Sequence, residues 1–175
     1  MYLLDISEFD EVYALFQKAF VKEELRPYDK MKKLFENQEL KIYGLKQDNK
    51  IVVGLLVWEF NDFIFLENFA VDEILRGQGI GGQFLDEFKE LYPNQLFVLE
   101  VEKPFDEMSQ RRIGFYQRHQ MILNPFSYIQ PTLDVEPTHI TLQLMSYPNS
   151  LNEKQFQTMK KDIFLRVYKK RKEDI

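Results

Sequence analysis

Cysteine is absent from the sequence, and histidine occurs only twice in 175 residues. The lack of cysteine excludes disulfide scaffolds, thiolate metal sites and a cysteine nucleophile. His119 and His139 lie far apart and form neither H-E-x-x-H nor any other ligand spacing, so we predict no bound metal.

Long apolar segments are also lacking. The longest run, residues 51–58, has eight residues, whereas a membrane-spanning helix needs ~20. The chain reaches Asp5 after four residues, without the basic region and apolar stretch of a secretory signal. We therefore expect a cytoplasmic protein that does not associate with membranes.

A strong positive charge is missing as well. The sequence holds 23 lysines and arginines against 28 aspartates and glutamates, for a formal charge of −5. Phosphate-rich partners require a basic surface, so we do not expect nucleic acid as a partner. With 45% hydrophobic and 15% aromatic residues, the chain can build a core, which excludes disorder of the whole.

The spacing of apolar residues predicts a mixture of helices and strands. Phe9, Val12, Tyr13 and Phe16 recur at helical spacing, and Ser7 is predicted to cap that helix. The predicted helices span 8–20, about 29–36, 79–92, 107–119 and 152–172, and the predicted strands span 2–4, 40–45, 51–60, 63–71, 96–101, 121–129 and 138–145. Short polar turns join the strands between 40 and 71 into hairpins. We therefore predict an α+β (mixed α/β) fold built on a mostly antiparallel sheet.

The last predicted helix is amphipathic, with Phe156, Met159, Ile163 and Val167 on one side. We assign residues 1–150 to the main domain and residues 151–175 to this C-terminal helix. Its apolar side either packs on the same domain or forms the contact of a homodimer.

Glycine is scarce, yet four of the seven glycines fall within residues 77–82, between a predicted strand and a predicted helix. Unpaired backbone N–H groups at a helix start, together with the helix dipole, attract anions. Glycine lets a bulky phosphate approach the backbone and permits a positive φ. Arg76 adds a full positive charge beside this segment, which we interpret as a binding site for a phosphate-bearing ligand.

Two nucleotide-binding motifs are close to this pattern but do not fit it. Gly77, Gly79 and Gly82 satisfy G-x-G-x-x-G, and Glu100 follows at the distance where a dinucleotide-binding fold carries an acidic residue. However, hairpin strands precede the glycines and no second βαβ half follows them, as that fold requires. A P-loop is excluded because no Gly-Lys-Ser/Thr ends the segment.

The segment Arg76-Gly77-Gln78-Gly79-Ile80-Gly81 resembles the acetyl-CoA motif of the GNAT superfamily of N-acetyltransferases. That motif has Arg or Gln, two variable residues, Gly, one residue, then Gly or Ala. Residues 67–71 look like the family's fourth strand, and residues 112–118 resemble the helix that carries its Phe-Tyr or Leu-Tyr pair, here Phe115-Tyr116. The order of predicted elements over residues 1–146 also fits. Two positions depart from the family: Ser109 replaces a frequent Asn, and Gln120-Met121 replaces a common Gly-Phe.

The resemblance implies a GNAT fold, with a central twisted, mostly antiparallel sheet of about seven strands flanked by helices, and an extra C-terminal helix outside the resemblance. It implies acetyl-CoA as the acetyl donor. Pantetheine is expected along residues 69–71 and pyrophosphate on residues 78–82. The residues expected to contact the donor are Phe69, Ala70, Val71, Arg76, Gly77, Gln78, Gly79, Ile80, Gly81, Gly82, Ser109 and Tyr116.

The resemblance also implies the catalytic groups of a direct acetyl transfer to a primary amine. Tyr116 is expected to protonate the departing thiolate, and the backbone N–H of Val71 to stabilise the oxyanion. Glu100 and then Glu67 are the candidates for the base that deprotonates the acceptor ammonium, although some family members use no side-chain base. Acceptor contacts are expected from residues 21–30 and from the loop after Tyr128.

The acceptor itself is left open between a small-molecule amine and a peptide amine, and the acidic composition favours a cationic one. One alternative function is a non-catalytic sensor module that binds an acyl-CoA. It predicts CoA binding without turnover, unchanged when Tyr116 becomes Phe. A second alternative, a nucleotide-binding oxidoreductase, predicts a preference for a dinucleotide over CoA.

Overall fold

The computed structural model describes residues 1–132 and 139–171, to which every structural statement below refers. Over these residues the chain forms five α-helices and seven β-strands. The helices are α1 (Phe9–Ala19), α2 (Tyr28–Glu36), α3 (Ile80–Leu91), α4 (Glu107–Arg118) and α5 (Glu153–Arg166), and the strands are β1 (Tyr2–Leu3), β2 (Lys41–Gln47), β3 (Lys50–Glu59), β4 (Phe63–Val71), β5 (Leu96–Glu102), β6 (Ile122–Ile129) and β7 (Thr141–Tyr147). The predicted α+β class is confirmed. No helix in this part of the chain is both long and apolar enough to cross a membrane.

The chain divides into two compact units, Met1–Gln95 and Leu96–Ile175. In the first unit four strands pair antiparallel in the order β1-β2-β3-β4. Asp48 and Asn49 join β2 to β3 with φ of 49° and 61°, as a two-residue turn of the I′ type requires. The hairpins predicted between residues 40 and 71 are therefore confirmed.

Helix α1 packs its apolar side on β3 and β4. Phe9, Val12 and Phe16 are completely buried there, and burial of each such side chain stabilises the fold by roughly 1.5–3 kcal/mol. Gly54 of β3 allows this close approach, because a Cβ at that position would lie 2.7 Å from Val12 Cγ2. The apolar side of α1 that the helical spacing predicts therefore faces the sheet.

Strand β4 carries a β-bulge near its middle. Leu56 pairs with Asn68 and Val57 pairs with Leu66, so Glu67 is an extra residue in β4. A bulge bends its strand and re-aims the local side chains. This irregularity places Glu67, one of the two candidate bases, in a side-chain environment that strand alternation alone does not predict.

In the second unit three antiparallel strands lie in the order β5-β7-β6. Glu100 is opposite Leu144, and Tyr128 is opposite Leu142, two residues earlier on β7. Cross-strand partners and alternate residues of one strand share a face, so Glu100 and Tyr128 lie on the same face. Helix α5 covers this face, because the rings of its residues Phe156 and Phe164 contact Tyr128.

The predicted cap of the first helix is wrong. Asp5, not Ser7, begins the helical segment: its carboxylate accepts the N–H of Ser7 at 2.7 Å, and Glu8 accepts the N–H of Asp5 at 3.1 Å. These reciprocal bonds form a capping box around a single 3-10 turn, Ile6–Glu8, that leads into α1. The carboxylate of Asp5 thus starts the helical segment two residues before the predicted cap.

The predicted end of the last helix is also wrong, because α5 ends at Arg166 and not at residue 172. Lys169 adopts a left-handed conformation with φ of 54°, which a helix cannot continue through. The N–H of Lys170 then bonds to the Phe164 carbonyl at 2.9 Å. Strand β7 begins at Thr141, and its predicted start at residue 138 lies outside the described residues.

Candidate functional site

The segment between β4 and α3 is an exposed loop with two left-handed glycines. Gly77 and Gly79 have φ of 78° and 80°, and a Cβ at either position would meet no atom within 4 Å. These glycines are therefore required by the backbone conformation and not by crowding. The space beside their backbone is open, as the approach of a bulky ligand demands.

Helix α3 starts at this loop without a side-chain cap. Its N-cap is Gly79, and its first turn holds no acidic residue. By contrast, α4 and α5 begin with capping boxes at Asp106 and Asn152 and carry a glutamate in the first turn. At the start of α3 the backbone N–H groups and the helix dipole therefore present a positive potential that no first-turn carboxylate cancels.

Side chains of the loop hold its shape. Arg76 Nε donates to the Val71 carbonyl at 3.2 Å, and Gln78 Nε2 donates to the Ile74 carbonyl at 3.1 Å. Asp72 accepts the N–H of Ile74 at 3.1 Å. Arg76 is exposed, so its positive charge lies at the surface of the loop.

The end of β4 leads directly into this loop. Phe69 is half-buried, and its ring stacks on Phe84 of α3 with 6.0 Å between centroids. On the β3 side, residues 69–71 pair with residues 53–55. The donor contacts expected from Phe69 to Gly82 therefore form one continuous stretch of strand end, loop and first helical turn. An open, glycine-rich and uncapped helix start fits a phosphate-bearing group such as CoA.

The other two expected donor contacts, Ser109 and Tyr116, lie on α4 in the second unit. The Ser109 N–H donates to the Asp106 carboxylate at 2.7 Å, and the Ser109 hydroxyl accepts the N–H of Asp106 at 3.2 Å. This reciprocal pair is the capping box of α4. Ser109 thus has a structural task at the position where the family frequently has Asn.

Tyr116 is buried, with 9% of its side chain exposed, and its ring contacts Phe115 edge-on. Burial raises the pKa of Tyr116 to about 12, an effect that the charge of Arg112 opposes. The phenol therefore keeps its proton at neutral pH. Such a group can donate a hydrogen bond to a charge that develops nearby.

Glu67 is held in a buried ion pair. Arg26 Nη2 lies 2.8 Å from Glu67 Oε1, and Trp58 Nε1 donates to Oε2 at 2.6 Å. The Arg26 guanidinium lies 5.8 Å from the centroid of the Trp58 ring, within reach of a cation–π contact. The negative charge of Glu67 is therefore compensated inside the first unit.

Glu100 is held by two tyrosines. The Tyr128 hydroxyl donates to Oε1, and the Tyr168 hydroxyl donates to Oε2 at 2.7 Å. Burial first, and then the nearby Glu100 and Tyr168, raise the pKa of Tyr128 well above its ordinary value. Tyr128 therefore keeps its proton and remains a hydrogen-bond donor to the carboxylate.

Sequence reasoning singled out Glu67, Glu100 and Tyr128 but missed the partners Arg26, Trp58 and Tyr168. Arg26 and Tyr168 bond to glutamates 41 and 68 positions away, and no local pattern marks such pairs. Trp58 could have been found, because the predicted hairpin of residues 51–60 and 63–71 places it near Glu67.

The two histidines are not close to one another in sequence, and they have different surroundings. His119 contacts the ring of Phe115 with 5.0 Å between centroids, and His139 is exposed. Residues 1–132 and 139–171 contain no group of three or more histidine, aspartate or glutamate side chains placed to hold a metal ion.

Comparison with known proteins gives consistent matches. A model of the acetyltransferase (GNAT) family matches residues 9–120. A solved structure of a GNAT-family protein from Bacteroides thetaiotaomicron, named as an acetyltransferase, is 26% identical and has a TM-score of 0.89 over 98% of this chain and 100% of that one. The ribosomal-protein-S18-alanine N-acetyltransferase of Escherichia coli is 20% identical, with a TM-score of 0.61 over 86% of this chain and 94% of that one.

Among curated proteins, YjbC of Bacillus subtilis (strain 168), named as an acetyltransferase, is 40% identical over 67 residues, which is 37% of this chain. The match spans about a third of that relative's length. The structural likeness, in contrast, extends over nearly the whole chain.

Proposed function

The chain belongs to the acetyltransferase (GNAT) family and has the family's fold, and from this premise we propose that it transfers the acetyl group of acetyl-CoA to a primary amine. The transfer is direct, within a complex that holds both substrates, so much of the rate enhancement comes from their alignment. The observation that carries the proposal is the open loop with left-handed Gly77 and Gly79 at the uncapped start of α3.

This loop supports binding of the donor's pyrophosphate. The amides of residues 78–82 surround the start of α3, and Arg76 adds a full charge at the exposed surface. Hydrogen bonds from N–H groups to an ionised phosphate are roughly twice as strong as neutral ones. The donor supplies the activated acetyl thioester, and the backbone N–H of Val71 is the group we assign to the oxyanion.

Tyr116 is the group we assign to the departing sulfur. Complete proton transfer from a phenol of pKa about 12 to a thiolate of pKa ~8.5 is uphill by roughly 5 kcal/mol. Tyr116 therefore acts first as a hydrogen-bond donor that stabilises the charge developing on sulfur. Donation of the proton, the role expected from the resemblance, completes the release of the thiol.

Glu100 is the carboxylate we assign to the acceptor amine. Glu67 is paired with the buried cation Arg26, so protonating it would leave that cation uncompensated. Glu100 accepts a hydrogen bond from a phenol on each of its two oxygens, which holds the carboxylate in a fixed orientation. We therefore propose a structural role for Glu67 and a role in orienting and deprotonating the acceptor for Glu100.

The acceptor class is a primary amine, either of a small molecule or of a peptide. The name of the Escherichia coli protein describes transfer to an alanine of a ribosomal protein, so a peptide amine belongs among the acceptors to test. We propose that acceptor contacts come from residues 21–30; the loop expected to contribute after Tyr128 includes residues 133–138, which lie outside the described residues. The net charge of −5 favours a cationic acceptor.

Donor binding can be tested by calorimetric titration with acetyl-CoA, CoA and NAD against the wild type, Gly79→Trp and Asn49→Trp. Asn49 is a matched control, because it is also exposed and left-handed, with φ of 61°. We expect acetyl-CoA to bind the wild type and Asn49→Trp, and the indole at position 79 to abolish binding. Heat from NAD alone, or from none of the three, would overturn the proposal.

Catalysis is tested by thiol release from acetyl-CoA with a panel of primary amines. We expect turnover that Tyr116→Phe lowers by one to two orders of magnitude while the dissociation constant of acetyl-CoA stays within a few fold. Acetyl-CoA binding without turnover of any amine would favour the acyl-CoA sensor module instead.

A further inference from the structure

We propose that Tyr168, which follows α5, is a positioning residue for acetyl transfer. Together with Tyr128 it fixes the Glu100 carboxylate in the orientation that receives the acceptor amine. The proposal rests on the proposed function, which it deepens. It makes the C-terminal segment part of the acceptor site.

The argument starts from how the carboxylate is held. Tyr128 donates to one oxygen of Glu100 and Tyr168 to the other, from β6 and from the segment after α5. A glutamate side chain has several rotatable bonds, and a single hydrogen bond leaves the carboxylate free to turn. Two donors on opposite oxygens restrain both its position and the direction of its remaining lone pairs.

The position of Tyr168 is itself determined by the end of α5. Its N–H bonds to the Ile163 carbonyl at 3.1 Å, and the left-handed Lys169 turns the chain directly after it. The preceding Val167 is completely buried, and the Tyr168 side chain is 8% exposed. The conformation of the chain after α5 therefore directs the Tyr168 phenol into the protein, where it contacts Glu100.

Tyr128 is fixed by the same helix. Its ring centroid lies 6.0 Å from that of Phe156 and 5.3 Å from that of Phe164. The Phe164 ring in turn contacts Tyr168 at 6.0 Å. One side of α5 thus holds both donors, and loss of its packing would release both oxygens together.

The surroundings of the carboxylate suit a cation. Aromatic ring faces attract ammonium groups, and Lys160 Nζ already lies 5.5 Å from the Phe164 centroid. A carboxylate held in a fixed orientation can accept hydrogen bonds from a protonated amine. The acceptor class that follows is an amine that arrives as an ammonium ion.

Both tyrosines lie beyond residues 9–120, the part of the chain that the family model matches. The two hydrogen bonds to Glu100 therefore come from the part of the chain that the family model does not match.

The test compares Tyr168→Phe, Glu100→Gln and the double variant in the full chain, with an alanine-initiated peptide, a linear diamine, a polyamine and an aminosugar as acceptors. Tyr2→Phe is the control, because Tyr2 of β1 also donates its phenol hydrogen bond to a glutamate, Glu8, at 2.8 Å. Circular dichroism confirms folding of each variant. Acetyl-CoA affinity is measured separately by calorimetry.

We expect Tyr168→Phe to lower kcat/KM for the amine about tenfold, with acetyl-CoA affinity within twofold of the wild type. A positioning residue acts through its partner, so the same substitution should have little further effect when Glu100 is already Gln. Tyr2→Phe should leave kcat/KM unchanged.

An unchanged kcat/KM in Tyr168→Phe, or an equal loss with and without Glu100, would overturn the positioning role while transfer itself persists. Failure of the proposed function is recognised differently, because the wild type would then bind no acetyl-CoA or turn over none of the amines. That result would remove the basis of this proposal as well.

Discussion

Arg26 and Glu67 form an ion pair that is almost completely removed from water, with 2.8 Å between Nη2 and Oε1 and side chains 5% and 8% exposed. Arg26 lies between α1 and α2, and Glu67 is the bulged residue of β4. The pair thus ties the connection between the first two helices to the strand that leads into the glycine loop. Removing charges from water is costly, and only the intact pair offsets that cost.

We predict that Arg26→Met destabilises the protein by about 3–5 kcal/mol, because it leaves a buried carboxylate without its cation. Adding Glu67→Gln should recover most of this loss, since glutamine is neutral and still accepts the hydrogen bond from Trp58. Denaturant unfolding of the two single variants and the double variant measures the effect. Additive losses in the double variant would contradict a coupled pair.

Alkaline pH should reveal the burial of Tyr116. Its pKa is about 12 in the folded chain and 10.0 when unperturbed, so the folded state retains this proton above pH 10 when the unfolded state has lost it. The resulting stabilisation is complete below pH 10 and is lost as the pH rises toward 12. We expect Tyr116→Phe to lose about 1.4 kcal/mol less stability than the wild type between pH 8 and pH 11.

The measurement is a series of denaturant titrations from pH 7 to pH 11. Between pH 7 and pH 9 the difference between the two proteins should stay constant, which serves as the internal control. Parallel curves up to pH 11 would contradict the raised pKa.

Gln120 occupies a position that favours glycine. It follows α4 with φ of 66°, where a side chain costs about 1 kcal/mol relative to glycine, and it stands where the family commonly has Gly. We predict that Gln120→Gly raises the free energy of unfolding by about 1 kcal/mol. Gln117→Gly, at an exposed position inside α4, is the matched control and should lower it by about as much.

Thermal and denaturant unfolding of Gln120→Gly and Gln117→Gly measure these changes in stability. A loss of stability in Gln120→Gly similar to that in Gln117→Gly would show that the left-handed conformation is not the determining factor.

Asn124 of β6 connects β6 and β7 to the segment before α5. Its Nδ2 donates to the Leu144 carbonyl and to Ser146 Oγ, both at 3.0 Å, and its Oδ1 accepts the N–H of Leu151 at 2.7 Å. The residue is 1% exposed, so truncation would remove three buried hydrogen bonds at once.

We predict that Asn124→Ala destabilises the protein by about 3 kcal/mol and lowers Tm by roughly 10 °C. Asn94→Ala, an exposed asparagine after α3, should change stability by less than about 0.5 kcal/mol. Differential scanning calorimetry measures both. A small effect at Asn124 would mean that water replaces its hydrogen bonds.

Much of the fold could be predicted because the signals are local. The predicted strand 63–71 has the bounds of β4, since apolar residues and turn residues delimit it within a few positions. The helix ends were harder. The first helical segment begins at the cap Asp5, although the nearby Ser7 is an equally suitable capping residue by type. The left-handed backbone of Lys169 prevents the last helix from continuing.

The sequence by itself determined the glycine loop before α3, because left-handed glycines at a helix start depend only on neighbouring residues. It also limited the candidate carboxylates to Glu67 and Glu100. Only the tertiary structure decided their environments: Glu67 meets a cation 41 positions away, and Glu100 meets a phenol 68 positions away. The physical reason is that the charge state and orientation of a carboxylate depend on which groups surround it in space, and folding selects those groups from distant parts of the chain.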